Sequence, residues 1–468
     1  MKREKKRILI LLVTILSGFV IQILYMSYFQ IFMAEGIKEN AYNKRLWLNE
    51  EKVVRGSIYD SEGRLLAYSE NIDGVTERKY MYDRLYSHII GYSSREYGKS
   101  GIEKSWNSYL IGANEKSPVS ELIELINPGG VGNNIYLTIN TNLQAHAYEA
   151  LAGKKGSIII MSPKTGEILA MVSLPDFNVN NLSKDWQSIS EDSGSPLFNR
   201  ATQGLYPPGS VFKIITATAL LRDSKETETF ICEGKIIIDG KEFRDYDGKS
   251  HGELDLTEAF AVSCNTYFTM KAVELGQARL LPVAKEYYFN RKFDFDLETS
   301  SSEFPETNLS TTELAAAGIG QGKVLATPLN IAMMVSAIAN DGKMIKPVIV
   351  KEVTSPENKK IYHYKETELG VIGDSKENTM LKDMMIEVVK SGTGVNAGIS
   401  GITVAGKTGT AENQSGKNHA WFAGFAPADD PKVTVVVILE EEGSTGGAAA
   451  APIAGKMIRY AIDVLGTP

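Results

Sequence analysis

The chain has 468 residues, more than one ordinary domain, and 43% apolar with 23% charged residues is the balance of a globular protein. A net charge of −7 gives a nucleic-acid partner no electrostatic support. Two cysteines, Cys232 and Cys264, are too few for a fold built on disulfides.

The first seven residues carry five basic side chains against Glu4, and an uncharged run follows from 8 to 34. That run exceeds the ~20 residues that cross a bilayer. A basic flank stays on the cytoplasmic side, so the chain after Glu35 is expected outside. A cleaved signal peptide competes, but the run is long for one and Phe32-Met33-Ala34 lacks a small-x-small cleavage pattern. The expectation is a single-pass membrane protein: a cytoplasmic tip over 1–7, an anchor over 8–33, and an extracytoplasmic remainder.

Residues 35–52 read as a polar helical exit from the membrane. Alternating apolar runs around a Ser61-Glu62-Gly63 turn predict a hairpin over 53–67. The Gly-rich stretch 127–132 breaks the pattern, 135–139 alternates as a strand, and 142–152 reads as a helix. A domain boundary is placed near 145, separating a small domain over 34–145 from a larger one over 146–468. In the larger domain, 157–173 reads as a strand hairpin, 210–221 as an apolar helix and 255–275 as one continuous helical pattern. Residues 328–340 read as a buried helix, 402–405, 420–425 and 433–439 as strands, and 449–465 as a closing helix. Strands at both ends with helices between predict an α+β fold, an antiparallel sheet flanked by helices.

Ser210 and Lys213 form the chain's one S-x-x-K. Residues three apart share a helix face, so hydroxyl and amine can meet. Serine is a poor nucleophile without an adjacent base, and lysine serves as one only if burial or a nearby cation pulls its pKa down by roughly 3 units. Pro207-Pro208-Gly209 suits a helix start, whose positive end favours negative charge beside Ser210. One serine and one lysine at this spacing are common by chance. Downstream, however, stand Ser263-Cys264-Asn265 and Lys407-Thr408-Gly409-Thr410, an S-x-N and a K-T-G in the order that penicilloyl-serine enzymes use. Other S-x-N and K-T-G copies, at Ser69, Ser105 and Lys164, all precede Ser210. Lys164-Thr165-Gly166 reads as the turn of a strand hairpin.

These motifs, with Arg55-Gly56-Ser57-Ile58-Tyr59-Asp60, Gly98-Lys99-Ser100-Gly101-Ile102-Glu103, Gly318-Ile319-Gly320-Gln321-Gly322 and Trp421-Phe422-Ala423-Gly424-Phe425, resemble those of a class B penicillin-binding protein. The resemblance implies a membrane-anchored peptidoglycan D,D-transpeptidase with a non-catalytic pedestal and a β-lactamase-like catalytic domain. It implies that Ser210 attacks a stem peptide ending in D-Ala-D-Ala and that Lys213 takes its proton. Ser263 would relay a proton to the leaving D-alanine, and Asn265 would orient Lys213 and the substrate amide. Lys407 would attract the substrate carboxylate and depress the pKa of Lys213. Thr408 and Thr410 would hold that carboxylate, and Gly409 would let substrate backbone lie along the strand. The backbone N–H groups of Ser210 and Thr410 would form the oxyanion hole. β-Lactam antibiotics would acylate Ser210. No glycosyltransferase domain fits between anchor and pedestal, so the implied partner is a separate SEDS-type membrane glycosyltransferase.

No cofactor or metal is called for. Cys232 and Cys264 read as two small buried side chains, a disulfide, or, with His251 and Asp247, a zinc site whose spacing matches no compact zinc pattern. Trp421 reads as core before substrate platform, and Arg55 with Asp60 as a surface ion pair. A D,D-carboxypeptidase or β-lactamase would use the same residues, with water in place of an amine.

Overall fold

The computed structural model describes residues 2–30, 53–72, 75–113, 130–224, 228–413 and 415–466. The expected helical exit over 35–52 and the end of the anchor fall outside the described residues. The helix Lys2–Tyr28 is the one among those described that is long and apolar enough to cross a membrane. Ile8, Leu12, Leu16, Phe19 and Leu24 are all exposed on it, as lipid-facing side chains would be.

Two sheets organise the rest. The catalytic sheet runs Ala405–Ala411, His419–Ala426, Val433–Leu439, Gly156–Met161, Ile168–Leu174, with every neighbouring pair antiparallel. Gly156–Met161, Ile168–Leu174 and Val433–Leu439 are nearly continuous apolar runs because both faces of the sheet are covered. Ile159, Met161, Val436 and Ile438 point into one core; Ile158, Ile160, Val435 and Val437 point into another. The helix Pro328–Ala339 fills the first core, with all twelve residues buried. Thr327 caps it and Pro328 occupies its first turn, where a missing N–H costs nothing. The helices Thr141–Leu151 and Ala451–Leu465 cover the other face. Lys164-Thr165-Gly166 is the turn between the paired strands Gly156–Met161 and Ile168–Leu174.

The second sheet runs Lys360–His363, Val350–Thr354, Asn134–Leu137, Ile58–Tyr59, Leu65–Ile72, Val75–Tyr80. The expected hairpin is present as Ile58–Tyr59 with Leu65–Ile72. Two strands of this sheet come from far along the chain: Val350–Thr354 pairs with Asn134–Leu137. The boundary near 145 falls inside the helix Thr141–Leu151, whose Leu143, Ala147 and Leu151 belong to the catalytic core.

Arg55 and Glu103 lie deep rather than on the surface. Glu103 is fully buried and takes Arg55 Nε at 2.9 Å on one oxygen and Arg78 Nε at 2.7 Å on the other. Asp60, also buried, accepts the N–H groups of Glu62 and Arg64 and so closes the hairpin turn. The expected surface pair of Arg55 with Asp60 is therefore replaced by an Arg55–Glu103–Arg78 triad joining the two pedestal motifs.

The helical pattern over 255–275 is split. Helices Leu256–Ala261 and Asn265–Leu275 are separated by a turn in which Ser263 has φ +57°. A left-handed serine costs about 1–3 kcal/mol and persists only where its surroundings impose it. Periodicity alone does not register the break, because apolar spacing continues across it.

Candidate active site

Ser210 sits in a 3-10 turn, Gly209–Phe212, that runs into the helix Lys213–Arg222. The turn is tight because Gly209 has φ +52° and its N–H donates to Gly320 O at 3.0 Å. A Cβ on Gly320 would lie 2.2 Å from Gly209 O, so the Gly318–Gly322 loop braces the nucleophile turn from behind.

The strand Ala405–Ala411 is an edge strand, leaving one backbone side free for another chain. Its register places Lys407 opposite Ala423, Gly409 opposite Trp421 and Thr410 opposite Ala420. A Cβ on Gly409 would meet Pro208 O at 2.7 Å and the side chains of Val211 and Trp421 at 3.0 Å. The glycine thus lets the strand close on the nucleophile turn, a different close approach from the substrate contact expected of it. Trp421 is fully buried and donates from Nε1 to Pro207 O at 3.1 Å, which makes it core. Thr408 Oγ1 lies 2.6 Å from Thr393 Oγ1, and Thr410 Oγ1 accepts Gly446 N–H at 3.2 Å.

The S-x-N turn closes the site. Lys213 Nζ donates to Ser263 O at 2.7 Å and to Asn265 Oδ1 at 2.8 Å, and lies 3.2 Å from Ser263 Oγ. Lys407 Nζ reaches the same Ser263 Oγ at 3.0 Å and Thr408 O at 3.2 Å. Both ammonium groups lie near rings, Lys213 over Phe268 at 5.3 Å and Lys407 over Phe260 at 5.4 Å. The left-handed Ser263 is what lets its carbonyl and hydroxyl serve one lysine together. Ser210 Oγ makes no hydrogen bond among the described residues.

Both lysines are fully buried, and neither forms an ion pair among the described residues. Burial pulls Lys213 down to about 8, against the pull of Cys264 and Asp245 in the opposite direction. Lys407 is pushed well below its ordinary value by burial first and by repulsion from Lys213 second. Burial is the first cause for both lysines, and repulsion between two neighbouring ammonium groups acts on both alike. Two charges on the pair are therefore disfavoured. Ser263 Oγ lies within 3.2 Å of both nitrogens and can pass a proton between them.

The comparisons follow this geometry. A family described as the penicillin binding protein transpeptidase domain matches residues 156–459, and the penicillin binding protein A dimerisation domain matches 55–135. The chain belongs to the class B penicillin-binding proteins. It is 32% identical over 470 residues to the peptidoglycan D,D-transpeptidase PbpA of Mycolicibacterium smegmatis, covering 93% of this chain and 92% of that one. The D,D-transpeptidase domain of a peptidoglycan glycosyltransferase from Eggerthella lenta superposes with TM-score 0.81 at 34% identity, over 89% of this chain and 99% of that one. Penicillin-binding protein A of M. tuberculosis, as its ceftriaxone acyl-enzyme, superposes with TM-score 0.82 at 30% identity, over 89% and 100%.

Within this penicillin-binding fold the three motifs meet at one place, as their order in the chain suggested. Sequence reasoning missed Thr393, Asp245 and the two phenylalanines. Asp245 Oδ1 accepts the Asn265 N–H, and Arg244 O accepts Asn265 Nδ2 at 2.9 Å, so this loop orients Asn265. None of these carries a local signal: Thr393 is one threonine in a Gly-rich turn, and Asp245 lies twenty residues before its partner. Cys232 and Cys264 are both buried and not joined to each other.

Proposed function

We propose that this chain is a membrane-anchored acyl-serine D,D-transpeptidase that cross-links peptidoglycan stem peptides ending in D-Ala-D-Ala. The observation that carries this is the convergence of Lys213 and Lys407 on one serine hydroxyl beside the Ser210 turn. Neutral Lys213 takes the Ser210 proton as Oγ attacks the carbonyl between the two D-alanines. The backbone N–H groups of Ser210 and Thr410 receive the oxyanion, usually the largest electrostatic contribution. The proton passes from Lys213 through Ser263 to the leaving D-alanine amine, and Asn265 keeps Lys213 oriented. The amine of a second stem peptide then attacks the acyl-serine and releases Ser210.

The substrate carboxylate docks at Lys407 with Thr408 and Thr410. An arriving anion stabilises the proton on Lys407 and so leaves Lys213 as the base. Substrate thereby selects the productive arrangement of the one shared proton. β-Lactams carry a carboxylate on a strained amide and acylate Ser210 by the same route, as the ceftriaxone complex of the M. tuberculosis relative supports.

The division is a tip over 1–7, an anchor over 8–33, a pedestal, and a transpeptidase domain to 468. We place the pedestal boundary at about 140 rather than 145, and add 350–363 to its sheet, because the helix Thr141–Leu151 packs in the catalytic core. The catalytic domain lies outside the cytoplasmic membrane of a bacterium, on the side opposite the basic tip. A separate SEDS-type membrane glycosyltransferase supplies the strands. Gln22 and Gln30 lie about two helical turns apart and offer polar contacts to a neighbouring helix.

The test uses the full-length chain in detergent with a stem-peptide polymer and an acceptor amine. Cross-linked dimers that vanish in Ser210→Ala support the proposal. Free D-alanine without dimers identifies a carboxypeptidase instead. Replacing the anchor with an unrelated single-pass helix should leave acylation intact and reduce co-purification with the polymerase.

A further inference from the structure

Behind the S-x-N turn lies a second cluster that the transpeptidase chemistry does not use. Cys232, Asp245, His251 and Cys264 each present one ligand atom, and the four atoms lie within 4.8 Å of one another. Cys232 ends the strand Phe230–Cys232, which pairs with Gly252–Leu254 and so brings His251 alongside. Asp245 follows the strand Lys241–Arg244, and Cys264 caps the helix Asn265–Leu275. Asp247, the carboxylate the sequence suggested for such a cluster, is exposed in the adjoining turn; Asp245 takes its place.

We propose that these four side chains bind one zinc ion. Two sulfurs, one imidazole nitrogen and one carboxylate oxygen are a donor set that zinc takes in tetrahedral sites. Bond lengths of ~2.3 Å to sulfur and ~2.0–2.2 Å to nitrogen and oxygen require ligand-to-ligand edges of roughly 3.3–3.8 Å. Cys232 Sγ lies 3.2 Å from Asp245 Oδ2 and 3.3 Å from His251 Nδ1, and Cys264 Sγ lies 3.6 Å from Asp245 Oδ2. The charge balance points the same way. Asp245 is 3% exposed and forms no ion pair among the described residues, so its carboxylate is buried with no cation in contact. Such a charge is costly unless it is paired or coordinates a metal. Thr266 Oγ1 supports the set from outside, donating to Asp245 Oδ2 at 2.8 Å.

Binding displaces one proton from each thiol to solvent. Two thiolates and one carboxylate around the ion leave one net negative charge, the same as the metal-free site with neutral thiols. The ion therefore acts on the active site by position. Cys264 stands between Ser263 and Asn265, and Asp245 Oδ1 holds the Asn265 N–H. Fixing those two ligands fixes the turn that holds both lysines. The metal site stands without the transpeptidase reading; its effect on acylation rests on that reading.

The experiment is elemental analysis of the full-length chain in detergent, purified under reducing conditions with zinc and then desalted. One zinc per chain is expected, retained in Ser210→Ala and lost in Cys232→Ser and in His251→Ala. Chelation should lower the melting temperature, expose both thiols to alkylation, and slow penicillin acylation by about 10–100-fold, restored by zinc. If the variants fail to fold, cobalt loaded into the chelated wild type gives a thiolate-to-metal absorption band in their stead. Wild type with no bound zinc, zinc kept in the Cys232→Ser/Cys264→Ser double variant, or an intact mass showing the two cysteines oxidised to a disulfide overturns the site. Zinc bound with acylation unchanged on its removal overturns only the coupling to catalysis.

Discussion

The pedestal and the active site each bury charged side chains, and they resolve the cost in opposite ways. In the pedestal, Glu103 lies between Arg55 and Arg78. Burial alone would raise its pKa, but the two arginines hold it below the ordinary carboxylate range. The carboxylate stays ionised and the triad is a fixed joint. In the active site, Lys213 and Lys407 are as deeply buried but share neutral acceptors with no carboxylate partner. Their pKa values fall instead, so the pair gives up a proton more readily than exposed lysines do. The same desolvation makes a structural lock in one region and lysines with lowered pKa values in the other, and the difference lies in whether a counter-charge is present.

Each side of that contrast can be broken separately. Lys213→Arg should have the largest effect on activity, a loss of about 10³–10⁴-fold in acylation, because a guanidinium stays protonated in a protein. Penicillin labelling of the folded fraction measures it, and the fixed buried cation should also lower the melting temperature. Glu103→Gln should spare the chemistry. It removes the carboxylate held between two buried arginines and should cost about 3–5 kcal/mol in stability, read from denaturant unfolding, while the folded fraction still acylates. The wild-type triad has a matching pH signature. With the folded pKa of Glu103 below its unfolded value, its contribution is full above ~4.3 and is lost as pH falls through the folded value.

Lys407→Met sharpens the comparison, because the buried cation it removes has no counter-charge. Stability should rise by about 1 kcal/mol at pH 7 even as acylation falls. Since the folded pKa lies below the unfolded one, that gain should shrink as pH rises toward ~10.4. Thr393→Val should have the smallest effect. Losing its contact with the Thr408 hydroxyl should weaken capture of carboxylate-bearing substrates by roughly 2–10-fold without changing the rate of the bound complex.

The sequence made the active site legible because its chemistry is written locally. S-x-x-K and K-T-G are each confined to one turn or one strand, and the paired runs at Gly156–Met161 and Ile168–Leu174 are adjacent in the chain. What it hid depends on distant contacts. Val350–Thr354 joins a sheet begun at Ile58, pairing with Asn134–Leu137 across much of the catalytic domain, and alternation does not report which sheet a strand joins. Arg55 meets Glu103 rather than Asp60, and Asp245 rather than Asp247 lies against the two cysteines, for the same reason. The break at Ser263 was invisible because its φ of +57° is imposed by packing at the site, not by a glycine. Gly409 was noted, but the neighbour its missing Cβ makes room for is Pro208, two hundred residues away.

The pH dependence of penicillin acylation by the full-length wild type tests the shared-proton account most directly. The second-order rate reports groups in the free enzyme. One proton between Lys213 and Lys407 predicts a bell: the rate falls on the acid side as the pair takes a second proton, and falls above about 8 as the last one leaves. A rate that stays level across about pH 6 to 9, or a bell that Lys407→Met leaves unchanged, would contradict it.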